Sequence, residues 1–150
     1  MMVFNIIAAF LIPWIAGSYL VKKDFRLFLL IAPFAAFVAV IFDVLGFHFE
    51  FWRIDPEYDT EPIAAMPMYF GIYPILAGYL FLTLERRSFH PLVVILFFSL
   101  VTTIIEGTGV WIDLVHYSNG WTIYWTYVSY FLAYVVCYGY YRLLRKVVPL

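Results

Sequence analysis

Five apolar stretches, each near the length that crosses a lipid bilayer, alternate with short segments that carry nearly all the positive charge of the chain. The hydrocarbon core of a bilayer is about 30 Å thick and a helix rises about 1.5 Å per residue, so about 20 apolar residues span it. The stretches run over 3–20, 27–45, 63–84, 91–111 and 121–143. A soluble core is a poor alternative. Hydrophobic residues make up 65% of the 150 residues and charged ones 13%, where a soluble domain carries roughly 25% charged residues. A domain this small leaves much of its surface in water. The expected fold is all-α, a single-domain five-helix transmembrane bundle.

The placement of Lys and Arg predicts its orientation. Lys22, Lys23 and Arg26 lie between the first and second stretches, Arg86 and Arg87 between the third and fourth, and Arg142, Arg145 and Lys146 at the end of the fifth. The other side holds only Arg53. Basic loops stay in the cytoplasm, so the N-terminus is expected outside and the C-terminus inside. A signal peptide carries its positive charge before its apolar stretch. Here Lys22 and Lys23 follow that stretch, which predicts a retained first helix. Thirteen Tyr and five Trp suit the membrane–water boundary, where one end of the ring is apolar and the other wet. The net charge of −1 points to no nucleic-acid partner. The lone Cys137 allows no intrachain disulfide and reads as a small buried apolar residue.

Within the helices, Pro91 suits a first turn. Gly71, Pro74 and Gly78 predict a kinked third helix. Ala32, Ala36 and Ala39 allow close helix approach. Tyr127, Tyr130, Tyr134, Tyr138 and Tyr141 mark one helical face. Their favoured reading is a packing seam with hydroxyls bonding across helices; the alternative is a groove for a long apolar ligand. Gly107 and Gly109 beside Glu106 read as close packing near a helix end, more readily than as an unwound ligand site.

Residues 47–62 form the longest connection, FHFEFWRIDPEYDTEP. Its first half alternates aromatic and polar residues, the period of an extended ribbon lying on the bundle. Its second half sets Asp55, Glu57, Asp59 and Glu61 at alternate positions. Carboxylates are hard ligands for calcium, but Pro56 interrupts the series and the glycine of a calcium loop is missing. A solvated acidic loop is the favoured reading.

Ionisable residues inside apolar stretches are costly, and they mark functional candidates by default. Asp43 lies 17 residues after Arg26 and Glu106 lies 16 after His90. Both therefore sit about 24–25 Å above the inner boundary, at one depth near the outer surface. At the same level lie Asn5, His48, Glu50, Arg53, Tyr69, Tyr73, Asp113, His116 and Asn119, with Thr122, Tyr124 and Thr126 opening the last stretch. The inner half offers only hydroxyls. A conduit needs polar groups along its whole path, so this asymmetry favours an outward-facing pocket or polar cap. Asp43 and Glu106 are first read as structural, hydrogen-bonded between helices, and next as an acid/base pair. His48, Glu50, Arg53, Tyr69, Tyr73, Asp113, His116 and Asn119 are the ligand-binding candidates. No HxxxH or HxxE spacing supports a metal site, and no cofactor is expected.

The segments LFLLIAPF at 27–34, GFHFEFW at 46–52, FSLVTTIIEGTGV at 98–110 and NGWTIYWTYVSYFLAY at 119–134 carry a resemblance to an uncharacterised family of small multi-pass membrane proteins of bacilli and clostridia. The resemblance covers nearly the whole chain. It implies a Gram-positive plasma membrane, and no mechanism. Membrane enzymes that cyclise or hydrate carotenoids also place acidic residues in helical bundles, an analogy of fold alone. The leading expectation is a non-enzymatic membrane component whose outward polar cluster binds a ligand or partner. A lipid- or isoprenoid-modifying enzyme using Asp43 and Glu106 comes second, and a small transporter subunit third. The expected partners are the bilayer, a lipid or isoprenoid, and another membrane protein or a second copy of the chain.

Overall fold

The computed structural model describes residues 1–60 and 62–148. Glu61, the last carboxylate of the acidic series, lies outside them. The chain folds into five long helical segments. The first comprises α1 (Met2–Ile6), a π-helical turn (Ile7–Leu11) and α2 (Ile12–Lys23). α3 spans Phe25–His48. α4 (Pro62–Phe70) and α5 (Ile72–Arg86) form one segment broken at Gly71. α6 spans Pro91–Trp111 and α7 spans Ile123–Val147. Each expected stretch is thus a helix, with ends moved by a few residues.

Four of these segments are long and apolar enough to cross a membrane: Met2–Lys23, Phe25–His48, Pro62–Arg86 and Pro91–Trp111. The fifth, α7, is as long but does not join them. Its tyrosines and its Arg142, Arg145 and Lys146 offset its apolar residues. Five spans were expected; all five are helices, and four are apolar enough to cross a membrane by length and composition.

The fold is all-α, as expected, and the expected ribbon is present but short and shifted. Two short strands, β1 (Trp52–Ile54) and β2 (Val115–Tyr117), pair antiparallel. The alternating pattern had placed a ribbon from residue 47. α3 instead runs on through His48, and the chain reverses at Glu50, whose φ of 53° is left-handed. The strand begins only after that turn. Its partner comes from the connection after α6, so the ribbon joins two loops far apart in sequence.

Local chemistry explains the helix ends. The Asp24 carboxylate accepts from the Leu27 N–H at 3.0 Å and caps α3, meeting a donor with no partner within the helix. His90 does the same for Leu92 at 3.3 Å ahead of Pro91. In the first segment, Pro13 has no N–H to give, and its ring crowds the carbonyl four residues back, that of Ala9. The π-helical turn covers this stretch and widens the backbone there. Gly71 receives that bulge: a Cβ on residue 71 would fall 1.9 Å from the Ala9 carbonyl oxygen. The kink expected in the third stretch therefore sits at Gly71, where the first segment presses into it.

α3 packs on α5 and α7, α6 on α5 and α7, and α2 on α5. Two apolar clusters result. One gathers Leu20, Leu27, Ile31, Leu80, Phe81 and Val94 with the Tyr134–Tyr141 face of α7. The other gathers Ala9, Phe47, Ile54, Ala65, Met68, Leu114 and Val115 under the ribbon. The periphery is apolar as well: Ile15, Phe37, Val93 and Phe97 are all more than half exposed. At the end away from the ribbon, Arg86 donates to the Lys23 carbonyl at 3.1 Å, and Arg145 lies 3.8 Å from Glu85.

Candidate functional site

Between the two apolar clusters lies a polar layer. Asp43 is on α3, one turn before Gly46 and Phe47. Glu106 is on α6, four residues past Thr102. Neither bonds the other, yet both line the same two adjoining cavities, with Trp52, Tyr73 and Tyr130.

The ribbon holds both carboxylates. In register, Trp52 pairs with Tyr117, and Arg53 with His116. Alternate side chains of a strand face opposite sides, so Trp52 and Tyr117 both point into the bundle while Arg53 is exposed. The Trp52 indole N–H donates to Asp43 Oδ1 at 3.2 Å. The Tyr117 hydroxyl donates to Glu106 Oε1 at 2.5 Å. Burial, and behind it the charge of Glu106, push the Tyr117 phenol above its ordinary range, which keeps its proton available as the donor. One strand pair thus presents one donor to each carboxylate.

α7 completes the Glu106 environment. The Tyr130 hydroxyl donates to Glu106 Oε2 and lies 3.3 Å from the Tyr73 hydroxyl of α5. Thr126 Oγ1 lies 3.1 Å from Glu106 Oε1 and 2.8 Å from the Tyr117 hydroxyl, and it accepts from the Trp121 indole at 2.9 Å. Trp121 stacks on Phe51 and meets Trp52 at 4.8 Å between ring centroids. Aromatic rings therefore cover the layer from the ribbon side.

Asp43 is less well satisfied. Its Oδ2 is buried without a hydrogen-bond partner, as are Asn5 Oδ1 and the Tyr69 hydroxyl. Tyr69 lies within electrostatic reach of Asp43 without meeting hydrogen-bond geometry. Asn5 is fully buried, and its amide donates to the Asp55 carbonyl at 2.8 Å. A buried polar atom without a partner costs about 1–3 kcal/mol, so these atoms call for an explanation.

The larger cavity has a volume of about 280 Å³ and lies between the first segment, α5, α6 and the ribbon. Ala8, Met68, Ile72, Ile105, Leu114 and Val115 give it mainly apolar walls. The smaller, of about 50 Å³, continues along α3 and α7 past Ala35, Ala77 and Ala133 to Cys137. Small side chains leave this space open. No Lys, Arg or His among the described residues lines either cavity.

The sequence candidates divide cleanly. Asp43, Glu106 and Tyr73 meet at the cavities, and Tyr69 is buried beside them. The rest occupy the ribbon end without lining either cavity. His48 is exposed and sits edge-on to Phe49. Arg53 pairs with Glu57 at 2.7 Å, both exposed. His116 Nε2 lies 3.2 Å from Asp55 Oδ2. Asn119 donates to the Phe49 carbonyl at 3.1 Å, tying the two connections together. Glu50 offers its backbone carbonyl to Ser118, and its exposed side chain and that of Asp113 flank left-handed turns. These groups shape the cap. The acidic series does not converge either, since Asp55 and Glu57 have separate basic partners.

Trp52, Tyr117, Thr126 and Tyr130 complete the site without having been singled out for it. Tyr130 and Thr126 carried a weak signal, the tyrosine face and the depth of Thr126. Trp52 and Tyr117 carried none, because only strand pairing turns them inward. The tyrosine face itself is a seam: Tyr134 bonds Thr102 at 2.7 Å, Tyr127 the Leu96 carbonyl at 3.4 Å, and Tyr141 the Glu85 carboxylate. α6 stays helical through Gly107 and Gly109, and Gly109 admits Val115 of the ribbon. No family model, curated protein or solved structure matches the chain.

Proposed function

We propose that this chain is an integral membrane protein whose polar layer is a binding site for a small hydrophobic ligand. In this reading the N-terminus and the ribbon face outward, the C-terminus faces the cytoplasm, and α7 crosses the membrane with the other four segments. The basic residues at the opposite end of the bundle support that orientation. Burial of α7's tyrosine face against α3 and α6 explains how a helix of lower hydropathy crosses, since bonded hydroxyls need no water. The observation that carries the binding reading is the meeting of Asp43 and Glu106, from two different helices, at a mainly apolar cavity of about 280 Å³. Ligand sites typically combine apolar walls with a few convergent polar groups, and they begin near roughly 300 Å³.

The test is mass spectrometry of small molecules retained by gently purified protein, beside the Asp43→Asn, Glu106→Gln double variant. A specific molecule present in the first and lost in the second supports the reading. Bulk phospholipid alone in both refutes it.

A second reading has its own support. Glu106 is surrounded by hydroxyls, while Asp43, which also lines the cavity, keeps one buried oxygen unpaired. Two carboxyls in unlike surroundings suit an acid/base pair acting on a lipid or isoprenoid. Conversion of the retained molecule by wild type and not by Glu106→Gln would establish it. A transport role has less support: the hydroxyls of Ser99, Thr102 and Thr103 turn back to carbonyls of their own helix, and Thr102 also bonds Tyr134, so these hydroxyls are already committed within the protein.

A further inference from the structure

The larger cavity has a mouth. Phe4 and Ala8 of the first segment line it together with Ile105 and Thr108 of α6 and Ile112 just past the end of that helix. Phe4, Ile105 and Ile112 line the cavity and are also 47%, 39% and 41% exposed. Side chains that belong to both surfaces mark where the cavity opens. The opening lies between two of the segments apolar enough to cross a membrane, so where those segments cross a bilayer it faces lipid.

The unpartnered polar groups of the cavity lining are chemically one-sided. Asp43 is 7% exposed and Asn5 fully buried; both residues line the cavity, and each has a buried side-chain oxygen with no partner. These are acceptors. The Tyr69 hydroxyl can serve one lone pair of Asp43 at most, and it does not reach Asn5. The groups around Glu106 are already committed to it. What the cavity lacks is therefore a hydrogen-bond donor. It also lacks a cation, while Asp43 and Glu106 supply acidic groups.

We infer that the ligand of the proposed site is an apolar molecule ending in a hydrogen-bond donor, a hydroxyl or an amine, that enters sideways from the membrane between the first segment and α6. An anionic end fits poorly, because a carboxylate or phosphate brings mainly acceptors to a cavity whose unpaired oxygens are acceptors and whose lining holds no cation. This rests on the binding reading above and specifies its ligand class and its route.

The experiment uses brominated fatty alcohol, fatty amine and fatty acid probes of one chain length, titrated at neutral pH into the full-length protein in lipid nanodiscs. Bromine quenches tryptophan, and Trp52 lines both cavities. The alcohol and the amine are expected to quench saturably, with the acid at least tenfold weaker. An acid that binds as well as the alcohol overturns the donor assignment and leaves the binding reading standing. Absence of saturable quenching by all three overturns both. Asp43→Asn, which keeps size and one acceptor, is expected to weaken the amine at least tenfold and the alcohol less. Equal loss for every probe would show a merely structural role for Asp43. Ile105→Phe, at an exposed apolar position, is expected to slow binding of the alcohol and amine severalfold. Unchanged rates would overturn the lateral route.

Discussion

Trp52 reaches Asp43 because residue 46 has no side chain. Its indole lies against Gly46, one helical turn from Asp43, where a Cβ would fall 2.0 Å from the ring. Gly46→Ala must therefore eject the indole and break its bond to Asp43. We expect a loss of about 1–3 kcal/mol, read as a lower thermal midpoint in detergent together with a red-shifted tryptophan emission. An unshifted spectrum would refute the arrangement. Glu106 allows a sharper comparison. Glu106→Gln keeps an acceptor for Tyr117 and an amide that can bond the Tyr130 oxygen, so it is expected to cost about 1 kcal/mol. Glu106→Leu leaves buried hydroxyls unpaired and should cost about 3 kcal/mol or more. Equal losses would mean that the hydroxyl cage is not what holds Glu106. A carboxyl within an apolar run is conspicuous, so Asp43 and Glu106 were legible in the sequence. Their partners were not, because one aromatic in a connection looks like any other until the pairing of two strands aims it.

Glycines at a close backbone approach and at an open helix position make opposite predictions for similar substitutions. At Gly71 the neighbour of an added Cβ is the Ala9 carbonyl, which cannot swing away. Gly71→Ala is expected to push the first segment off the break between α4 and α5, costing about 3 kcal/mol. At Gly139 on α7 nothing lies within 4 Å. Gly139→Ala relieves a flexible residue within a helix and is expected to stabilise by about 0.5–1 kcal/mol. Thermal denaturation of the two variants side by side checks both signs; a stabilising Gly71→Ala would refute the contact with the π-helical turn. The sequence predicted a kink in this stretch from Gly71, Pro74 and Gly78 without choosing among them. It was silent on the π-helical turn, which depends on what packs against the Ala9 carbonyl.

At the scale of the molecule, the ribbon and every Lys and Arg except Arg53 occupy opposite ends of the bundle, and the orientation proposed from them can be measured. Cys137 is buried, so a Cys137→Ala background carries single cysteines at will. Asn119→Cys, in the ribbon-end connection, is expected to react with a membrane-impermeant thiol reagent added to intact cells. Ser88→Cys, between α5 and α6, is expected to react only after the cells are opened. The reverse pattern would invert the proposed topology. Labelling of both in intact cells would refute an odd number of crossings between them.

The sequence by itself determined the helices and the segregation of charge, because length, hydropathy and the placement of Lys and Arg are properties of one segment at a time. It also determined that two carboxyls share a depth, since a helix converts residue count directly into distance. Only the tertiary structure decided which way those carboxyls face. Helix rotation is set by contacts such as Trp52 on Gly46 and Val115 on Gly109, and these join residues from separate connections. The cavity was hidden for the same reason. A space between the first segment and α6 is defined by what two distant helices leave unfilled, and no single stretch of sequence records it.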